Sequence, residues 1–235
     1  MTVSAIIVAG GKGIRMGAAV RKQYMLLAGR PIVCLTVEVF DACSCIDDIF
    51  LVVPPDDLGV CAEKWMASLT LYKRIHLVAG GVERQDSVYR GIQAVGGACD
   101  VVVIHDAVRP FVSLQMIESC VAEARTSGAC IIGMPAMETA KQVNSGEIER
   151  TLDRNTIWLA QTPQAFNFDL IRAAHETARS DLFMGTDDAM LVERLGRKVR
   201  ILPGSRLNIK ITTPEDLALA EGIIHRMPSD YFPVH

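Results

Sequence analysis

Short apolar runs alternate with amphipathic stretches along the first half of the chain. The apolar runs are rich in valine and isoleucine and contain few polar positions, which is typical of strands buried on both faces of a parallel sheet. The pattern predicts five such strands, at Ala5–Val8, Ile49–Val53, Ile75–Val78, Val101–Ile104 and Cys130–Met134.

Helical patterns lie between several of these strands. Pro31 is followed by apolar residues at helical spacing, as expected where proline begins a helix. Ser87 and Ser113 each precede another apolar stripe, and both are predicted N-caps. The alternation of strand and helix predicts an α/β fold with a Rossmann-like, doubly wound and mostly parallel sheet.

A polar hairpin interrupts this alternation. Glu138–Val143 and Glu147–Thr151 flank Asn144–Gly146, whose composition is typical of a hairpin turn. A polar hairpin within an α/β layer usually projects from it. We interpret the region at about 138–160 as a β-arm for dimerisation, and a surface hairpin without that role fits the pattern equally well.

The rest of the chain returns to helices and strands, and no linker or repeat divides residues 1–235. We therefore predict a single domain that carries the arm. The last helix is predicted to begin after Thr213, with Pro214 in its first turn. The other predicted elements are helices at Asp169–Ala178 and Asp187–Leu195, the second capped by Thr186, and strands at Val199–Leu202 and Asn208–Ile211.

The composition is that of an ordinary globular protein. The 235 residues are 50% hydrophobic and 22% charged, which excludes disorder and coiled coil. A net charge of −3 argues against a general nucleic-acid binder, and no apolar run approaches the ~18 residues of a membrane span. The seven cysteines include no C-x-x-C pair, and the start of the chain is a poor signal peptide. We therefore expect reduced thiols and a cytoplasmic protein.

A glycine-rich loop follows the first predicted strand. Glycines just past a strand let backbone N–H groups approach an anion closely. The loop does not fit the P-loop pattern, and a dinucleotide fingerprint would need glycine where Met16 stands. Because Arg15 and Lys22 add positive charge, we predict that the loop binds phosphate; a tight turn with solvated charges is the alternative. The loop reads Ala9-Gly10-Gly11-Lys12-Gly13-Ile14-Arg15-Met16-Gly17.

Asp106 follows the buried run Val101–Ile104 and therefore stands at the carboxyl edge of the predicted sheet. Ligands of open α/β sheets bind at that edge, and Mg²⁺ takes one or two carboxylates together with phosphate oxygens. Asp106 is predicted to bind Mg²⁺, and the alternative is that it caps the next turn. We expect the adjacent His105 to be structural rather than catalytic.

The glycine loop and the residues Lys22-Gln23-Tyr24 resemble the signature of sugar-phosphate nucleotidyltransferases. Further blocks are similar, in the same order, to those of the 2-C-methyl-D-erythritol 4-phosphate cytidylyltransferase family. The resemblance implies a homodimeric, Mg²⁺-dependent enzyme of isoprenoid precursor biosynthesis that transfers CMP from CTP to methylerythritol phosphate and releases pyrophosphate. The blocks are Gly80–Val88, His105–Pro110, Asp153–Asn155, Gln161–Gln164 and Asn208–Lys210.

The resemblance also implies roles for individual residues. Arg15, Lys22 and Lys210 match catalytic cations, and Asp106 matches the metal ligand. The positions that match nucleotide-binding residues are Ala9, Gly10, Gly11, Gly13, Gly81, Ser87, Asp106 and Ala107.

The acceptor substrate has its own matching positions. Arg109, Thr139 and Thr162 match residues that contact methylerythritol phosphate, and Arg154 matches one that the partner subunit donates across the arm. The resemblance therefore implies that two subunits build each acceptor site.

Three other functions remain open. A ribitol 5-phosphate cytidylyltransferase would share the glycine loop and the His105–Pro110 block, but Thr151–Asn155 with Trp158 favours the isoprenoid enzyme. An NAD-type oxidoreductase needs a third loop glycine and a ribose-binding acid, and neither stands where it should. A non-catalytic nucleotide sensor would have no need for transition-state cations such as Lys22 and Lys210.

Overall fold

A seven-stranded sheet occupies the centre of the molecule, and two short two-stranded sheets lie beside it. The computed structural model describes residues 1–10 and 21–227. The strands are β1 (Val3–Val8), β2 (Leu26–Leu27), β3 (Arg30–Pro31), β4 (Asp48–Val53), β5 (Arg74–Ala79), β6 (Val101–Asp106), β7 (Ala129–Pro135), β8 (Lys141–Asn144), β9 (Glu147–Thr151), β10 (Trp158–Asn167) and β11 (Arg200–Pro203).

Helices connect these strands and cover both faces of the central sheet. Short 3₁₀ turns occur as well, and one of them, Lys22–Tyr24, begins just after the undescribed segment 11–20. None of the described helices is long and apolar enough to cross a membrane. The helices are α1 (Ile32–Ala42), α2 (Leu58–Val60), α3 (Arg84–Val95), α4 (Leu114–Ser127), α5 (Phe168–Ser180), α6 (Asp188–Arg194) and α7 (Pro214–Ile224).

The order of the strands creates a switch point in the middle of the sheet. The order is β11-β7-β10-β6-β1-β4-β5, with β1 parallel to both β4 and β6. The chain runs outward from β1 through β4 to β5 and then returns to the other side of β1 as β6. Val8 and Asp106, the last residues of β1 and β6, are therefore register partners. Crevices at such points bind the ligands of doubly wound folds.

The core lies on both faces of this sheet because alternate residues of each strand point to opposite sides. Ala5 and Ile7 of β1 belong to the apolar cluster that includes α1 and α4. Ile6 and Val8 belong to the cluster that includes α3, α5 and α6. Burial on both faces explains the continuous apolar runs in the sequence, and the predicted doubly wound, mostly parallel α/β sheet is confirmed.

Among the described strands of the central sheet, the exception to parallel pairing is β10, a strand that the sequence pattern does not predict. It runs antiparallel between β6 and β7, and its residues 162–166 are buried. Pro163 and two glutamines interrupt any apolar run there, and proline within a sheet is confined to edges and bulges. The strand accommodates Pro163 where its register against β7 shifts between Ala160 and Gln164.

The predicted strand Asn208–Ile211 is wrong. The segment is irregular and forms no ladder, because its hydrogen bonds go elsewhere. Asn208 N donates to Ser205 O at 3.1 Å, and Ile211 N donates to Val108 O at 2.9 Å. The second bond ties this segment to the turn after β6.

Two predicted helix caps are also wrong, and two are correct. Glu83 rather than Ser87 caps α3, in a reciprocal capping box with Asp86. Asp187 rather than Thr186 caps α6. Ser113 caps α4 as predicted, and Thr213 caps α7 with Asp216 completing the capping box. Acidic residues compete with serine and threonine at these positions because all of them accept from the first-turn N–H groups.

The predicted hairpin is present as β8 and β9, which pair antiparallel and are largely exposed. Its turn residues Ser145 and Gly146 have φ values of 50° and 87°, and two such positive values are typical of a tight hairpin turn. The role of this arm in dimerisation stays a prediction. All seven cysteines are free thiols, and only Cys45 among them is not buried.

Candidate active site

Asp106 is a buried carboxylate in contact with three cations. It ends β6 at the switch point, and only 6% of the residue is exposed. Oδ1 accepts a hydrogen bond from Arg84 Nε at 2.9 Å. Lys210 Nζ lies 2.7 Å from Oδ2, and Arg109 Nε lies 3.7 Å from the same oxygen. Burial alone would raise the pKa of Asp106, but these cations outweigh it and hold that pKa well below its usual range.

The three cations come from segments that are distant in sequence. Arg84 is the first residue of α3, which begins just beyond the carboxyl end of β5. Arg109 follows β6, and its Nη1 donates to Asn208 O at 2.7 Å. That contact holds the irregular segment that carries Lys210 close to the end of β6.

Buried amide and hydroxyl groups fix this segment from the β10 side. Asn208 is fully buried, and its Nδ2 donates to Thr162 O at 2.8 Å. Thr162 Oγ1 in turn accepts from the backbone N–H of Asp106 at 3.1 Å. Thr162 therefore orients the backbone of Asp106. Because Thr162 belongs to β10, this orientation depends on the position of that strand.

A cavity of about 210 Å³ opens beside Asp106 at this edge of the sheet. It is lined by four residues that the sequence predicts for the site: Asp106, Arg109, Thr162 and Lys210. The full set of lining residues is Arg84, Asp106, Arg109, Ala160, Gln161, Thr162, Gln164, Thr186, Asp187 and Lys210.

A second group of predicted residues lies together at the ends of β1 and β5. Gly81 N donates to Ser87 Oγ at 3.1 Å, and Ser87 Oγ donates to Glu83 O at 3.1 Å. A Cβ placed on Gly10 would lie 2.7 Å from Ser87 Oγ, and one placed on Gly81 would lie 2.2 Å from Asp86 Cβ. Both glycines are therefore required by the close approach of two chain segments.

Ala9 and Ala107 continue β1 and β6 past the switch point. Ala9 N donates to Val52 O at 2.7 Å, and Ala107 N donates to Val8 O at 3.0 Å. Both residues are buried. The predicted nucleotide-binding residues Ala9, Gly10 and Ala107 thus follow the two strand ends that flank the crevice.

The comparisons with known proteins agree with one another. Residues 3–226 match the family described as IspD: 2-C-methyl-D-erythritol 4-phosphate cytidylyltransferase. The chain belongs to this family. It is 50% identical over 227 residues to the 2-C-methyl-D-erythritol 4-phosphate cytidylyltransferase of Geobacter metallireducens, an alignment that covers 95% of this chain and 98% of that one.

Solved structures show the same fold. A 4-diphosphocytidyl-2C-methyl-D-erythritol synthase from Anaerococcus prevotii superimposes with a TM-score of 0.86 at 31% identity, covering 96% of each chain. The 2-C-methyl-D-erythritol 4-phosphate cytidylyltransferase from Thermus thermophilus gives a TM-score of 0.79 at 31% identity, covering 96% of this chain and 100% of that one. The chain is therefore an enzyme, a cytidylyltransferase of the nucleotidyltransferase class.

Some predicted residues of this cytidylyltransferase lie outside the described part of the chain, and others are described but do not line the cavity. Gly11, Gly13 and Arg15 lie outside the described residues. Lys22 starts a 3₁₀ turn that is fixed from both sides, because Tyr24 stacks on Trp65 at 5.9 Å and Arg21 pairs with Asp57 at 3.3 Å. Lys22 does not line the cavity, and its catalytic role stays a prediction.

Thr139 and Arg154 are exposed residues of the arm region. Arg154 Nη1 donates to Met137 O at 2.9 Å, within the arm itself. Neither residue lines the cavity of its own chain. The predicted acceptor contact of Thr139, and that of Arg154 across a dimer, stay predictions.

Sequence reasoning missed Arg84 and its second acidic partner, Asp188. Arg84 lies in the Gly80–Val88 block, and nothing in the local sequence distinguishes it from a solvated charge. Its Nη1 donates to Asp188 Oδ2 at 2.8 Å, and Asp188 is 1% exposed. Burial raises the pKa of Asp188, but Arg84 and His175 outweigh it and the pKa is lowered. No local pattern in the sequence pairs residues 84 and 188.

His105 is fully buried in this cytidylyltransferase and packs against Phe40, with 5.0 Å between ring centroids. Its Nε2 lies 3.1 Å from Arg109 O, and since a carbonyl only accepts, Nε2 carries the proton. Burial lowers the pKa of His105 to about 4, so the ring is neutral at pH 7. These observations support the predicted structural role.

We expect His105 to make the protein less stable in mild acid. The unfolded chain binds a proton at a pKa of about 6.5, whereas the folded protein does so only near 4. The free energy of unfolding should therefore fall as the pH drops from about 6.5 to about 4, by roughly 2–3 kcal/mol from this residue. Urea denaturation of the wild type and His105→Gln at pH 7.5 and 4.5 measures the difference. Equal pH dependence in both proteins would contradict the assignment.

Proposed function

We propose that the enzyme transfers CMP from CTP to 2-C-methyl-D-erythritol 4-phosphate. An oxygen of the acceptor phosphate attacks the α-phosphorus of CTP, and the bond to pyrophosphate breaks. The products are 4-diphosphocytidyl-2-C-methyl-D-erythritol and pyrophosphate. The observation that supports this most strongly is the convergence of Arg84, Arg109 and Lys210 on Asp106, in the crevice of a family member.

The reaction brings two polyanions together, so its main requirement is positive charge at a fixed position. Lys210 and Arg109 both face Oδ2 of Asp106, and this one carboxylate cannot neutralise both of them. The Lys210 side chain is 36% exposed, so its ammonium group can reach a phosphate that enters the crevice. We assign it to the α-phosphate region, between the two substrates.

Asp106 has the properties of a Mg²⁺ ligand. It is ionised and lines the cavity. Of the three cations, only Arg84 contacts Oδ1, so this oxygen keeps a lone pair for a metal ion. The described residues contain no cluster of three His, Cys, Asp or Glu that could hold a metal. Mg²⁺ commonly needs only one or two carboxylates besides phosphate oxygens. When bound, the ion would neutralise phosphate charge during transfer.

The nucleotide is assigned to the other side of the crevice. Gly10, Gly81 and Ser87 lie in mutual contact there, and Ala9 and Ala107 follow the flanking strand ends. We propose that Gly81 and Ser87 bind the cytosine and ribose, and that the loop residues Ala9, Gly10, Gly11 and Gly13 bind the triphosphate together with Arg15. Ala107 is assigned to the nucleotide as well. These assignments follow the positions that match the family.

The acceptor is assigned to a set that matches the family's acceptor contacts, together with Arg154 of the partner subunit. The set is Arg109, Thr139, Thr162 and Lys210. The arm region exposes apolar side chains, since Val143 is 54% and Ile148 63% exposed. A homodimer would cover such residues. The free thiols are consistent with a cytoplasmic enzyme.

The test of this function is a comparison of acceptors. Pyrophosphate release from CTP should depend on both Mg²⁺ and 2-C-methyl-D-erythritol 4-phosphate, and ribitol 5-phosphate should be a poor substitute. A preference for ribitol 5-phosphate would establish the alternative cytidylyltransferase. CTP binding without any turnover would indicate a sensor, and nicotinamide binding in a fluorescence titration would indicate an oxidoreductase.

Lys210→Ala and Lys22→Ala should each lower kcat by an amount equivalent to about 2–4 kcal/mol, because each removes a preorganised positive charge. Both variants should keep the wild-type circular dichroism spectrum. Lys198→Ala is the matched control, since Lys198 is exposed and does not line the cavity. Wild-type turnover in either active-site variant would remove the role proposed for that lysine.

Mixing inactive subunits tests whether Arg154 acts across a dimer. Arg154→Ala and Lys210→Ala should each be nearly inactive alone. A mixed dimer would contain one site with both residues intact, so unfolding and refolding the two variants together should restore about one quarter of wild-type activity. Activity that stays at the sum of the separate variants would show that Arg154 does not serve the partner's site.

A further inference from the structure

Arg84 joins two buried carboxylates, one in the crevice and one behind it. Its Nε donates to Asp106 Oδ1 at 2.9 Å, and its Nη1 donates to Asp188 Oδ2 at 2.8 Å. The Arg84 side chain is 27% exposed and lines the cavity, whereas the Asp188 side chain is 1% exposed. The guanidinium group therefore connects the crevice to the interior.

Asp188 is itself held in place from the far side. His175 is fully buried, and its Nε2 lies 3.1 Å from Asp188 Oδ1. Tyr89 of α3 stacks on the His175 ring, with 6.3 Å between centroids and 18° between planes. Asp188 is also the first residue of α6, directly after the N-cap Asp187. Contacts thus run from His175 through Asp188 and Arg84 to Asp106.

We propose that Asp188, oriented by His175, is a positioning residue for cytidylyl transfer. Asp188 holds the Arg84 guanidinium so that only Nε is directed at Asp106. Its carboxylate also neutralises part of the guanidinium charge, which would otherwise act on Asp106 alone. This inference rests on the proposed function, because it assigns Asp188 to the site in which CTP and its acceptor react.

The geometry explains why such control is needed. Two cations already face Oδ2 of Asp106. If Arg84 were released from Asp188, it could form a two-pronged pair with Asp106, the arrangement that arginine prefers with a carboxylate. Arg84 would then contact both oxygens of Asp106 rather than Oδ1 alone, and the carboxylate would be less available to the substrates and to a divalent ion.

Stability alone does not account for this arrangement. Arg84 Nη2 and His175 Nδ1 are buried and have no hydrogen-bond partner among the described residues. Buried ionic groups that are incompletely satisfied contribute little stability, and well-packed apolar residues often replace them without loss. The contacts from His175 through Asp188 to Arg84 are therefore better explained by the orientation that they give to the Arg84 guanidinium.

The experiment begins with the wild type, CTP, Mg²⁺ and 2-C-methyl-D-erythritol 4-phosphate. Asp188→Asn should lower kcat/KM for CTP by about 10- to 100-fold, the range seen when a group that orients a site residue is removed. Calorimetry with CTP and Mg²⁺ should show weaker binding by a similar factor. Val192→Ala is the control, because Val192 is fully buried on the same helix and does not line the cavity. It should lower the melting temperature without changing either quantity.

A double-variant comparison separates positioning from a structural role. In an Arg84→Gln background, adding Asp188→Asn should change kcat/KM less than about twofold, since the residue through which Asp188 acts is gone. An equal loss in both backgrounds, or an Asp188→Asn protein as active as the Val192→Ala control, would overturn the proposal. An inactive wild type would instead refute the proposed function.

His175 provides a second test if Asp188→Asn does not fold. His175→Gln keeps an amide donor for Asp188 and should retain activity within about threefold, whereas His175→Leu should lose about tenfold. The same loss in both His175 variants would contradict the proposed orienting hydrogen bond, and so would full activity in His175→Leu.

Discussion

The buried carboxylate of Asp106 is the group on which the rest of the site depends. A charge taken out of water costs several kcal/mol unless opposite charges lie close to it. The fold supplies those charges from three places: the start of α3, the turn after β6 and the irregular segment before α7. If these cations moved away, the buried carboxylate of Asp106 would be left without a partner. Asp106 therefore constrains the positions of the three segments that carry Arg84, Arg109 and Lys210.

The sheet topology makes this convergence possible. The reversal of strand order at β1 opens a crevice at the ends of β1 and β6, and the antiparallel β10 closes its other side. Thr162 and Asn208 then connect β10, β6 and the Lys210 segment through buried hydrogen bonds. Backbone and side-chain hydrogen bonds therefore hold the segments that carry Arg109 and Lys210 in place, as the proposed electrostatic catalysis requires.

Local patterns in the sequence predict much of the fold and part of the site. The buried strands were predictable because burial on both faces leaves continuous apolar runs, and Asp106 was predictable because it follows one of them. β10 was not, since Pro163 and its neighbouring glutamines carry no apolar pattern and their burial depends on flanking strands. Lys210 was assigned through family resemblance, although the strand predicted around it is absent.

The contacts of Arg84 could not be predicted in the same way. Its partners Asp106 and Asp188 are 22 and 104 residues away in sequence. Tertiary packing brings the start of α3 to the end of β6 and to the start of α6, and neither hydrophobic periodicity nor capping patterns encode these pairs. Arg84 and Asp188, each taken alone, fit solvated charges at the start of a helix, and only the folded structure shows that Asp188 is buried.

A crystal structure of the enzyme with CTP and Mg²⁺ tests the central claim most directly. The account predicts triphosphate density at the carboxyl ends of β1 and β6, with Lys210 Nζ within hydrogen-bond distance of a phosphate oxygen and Asp106 beside the metal ion. A nucleotide bound elsewhere would contradict it. So would a triphosphate in this crevice that leaves Lys210 paired only with Asp106.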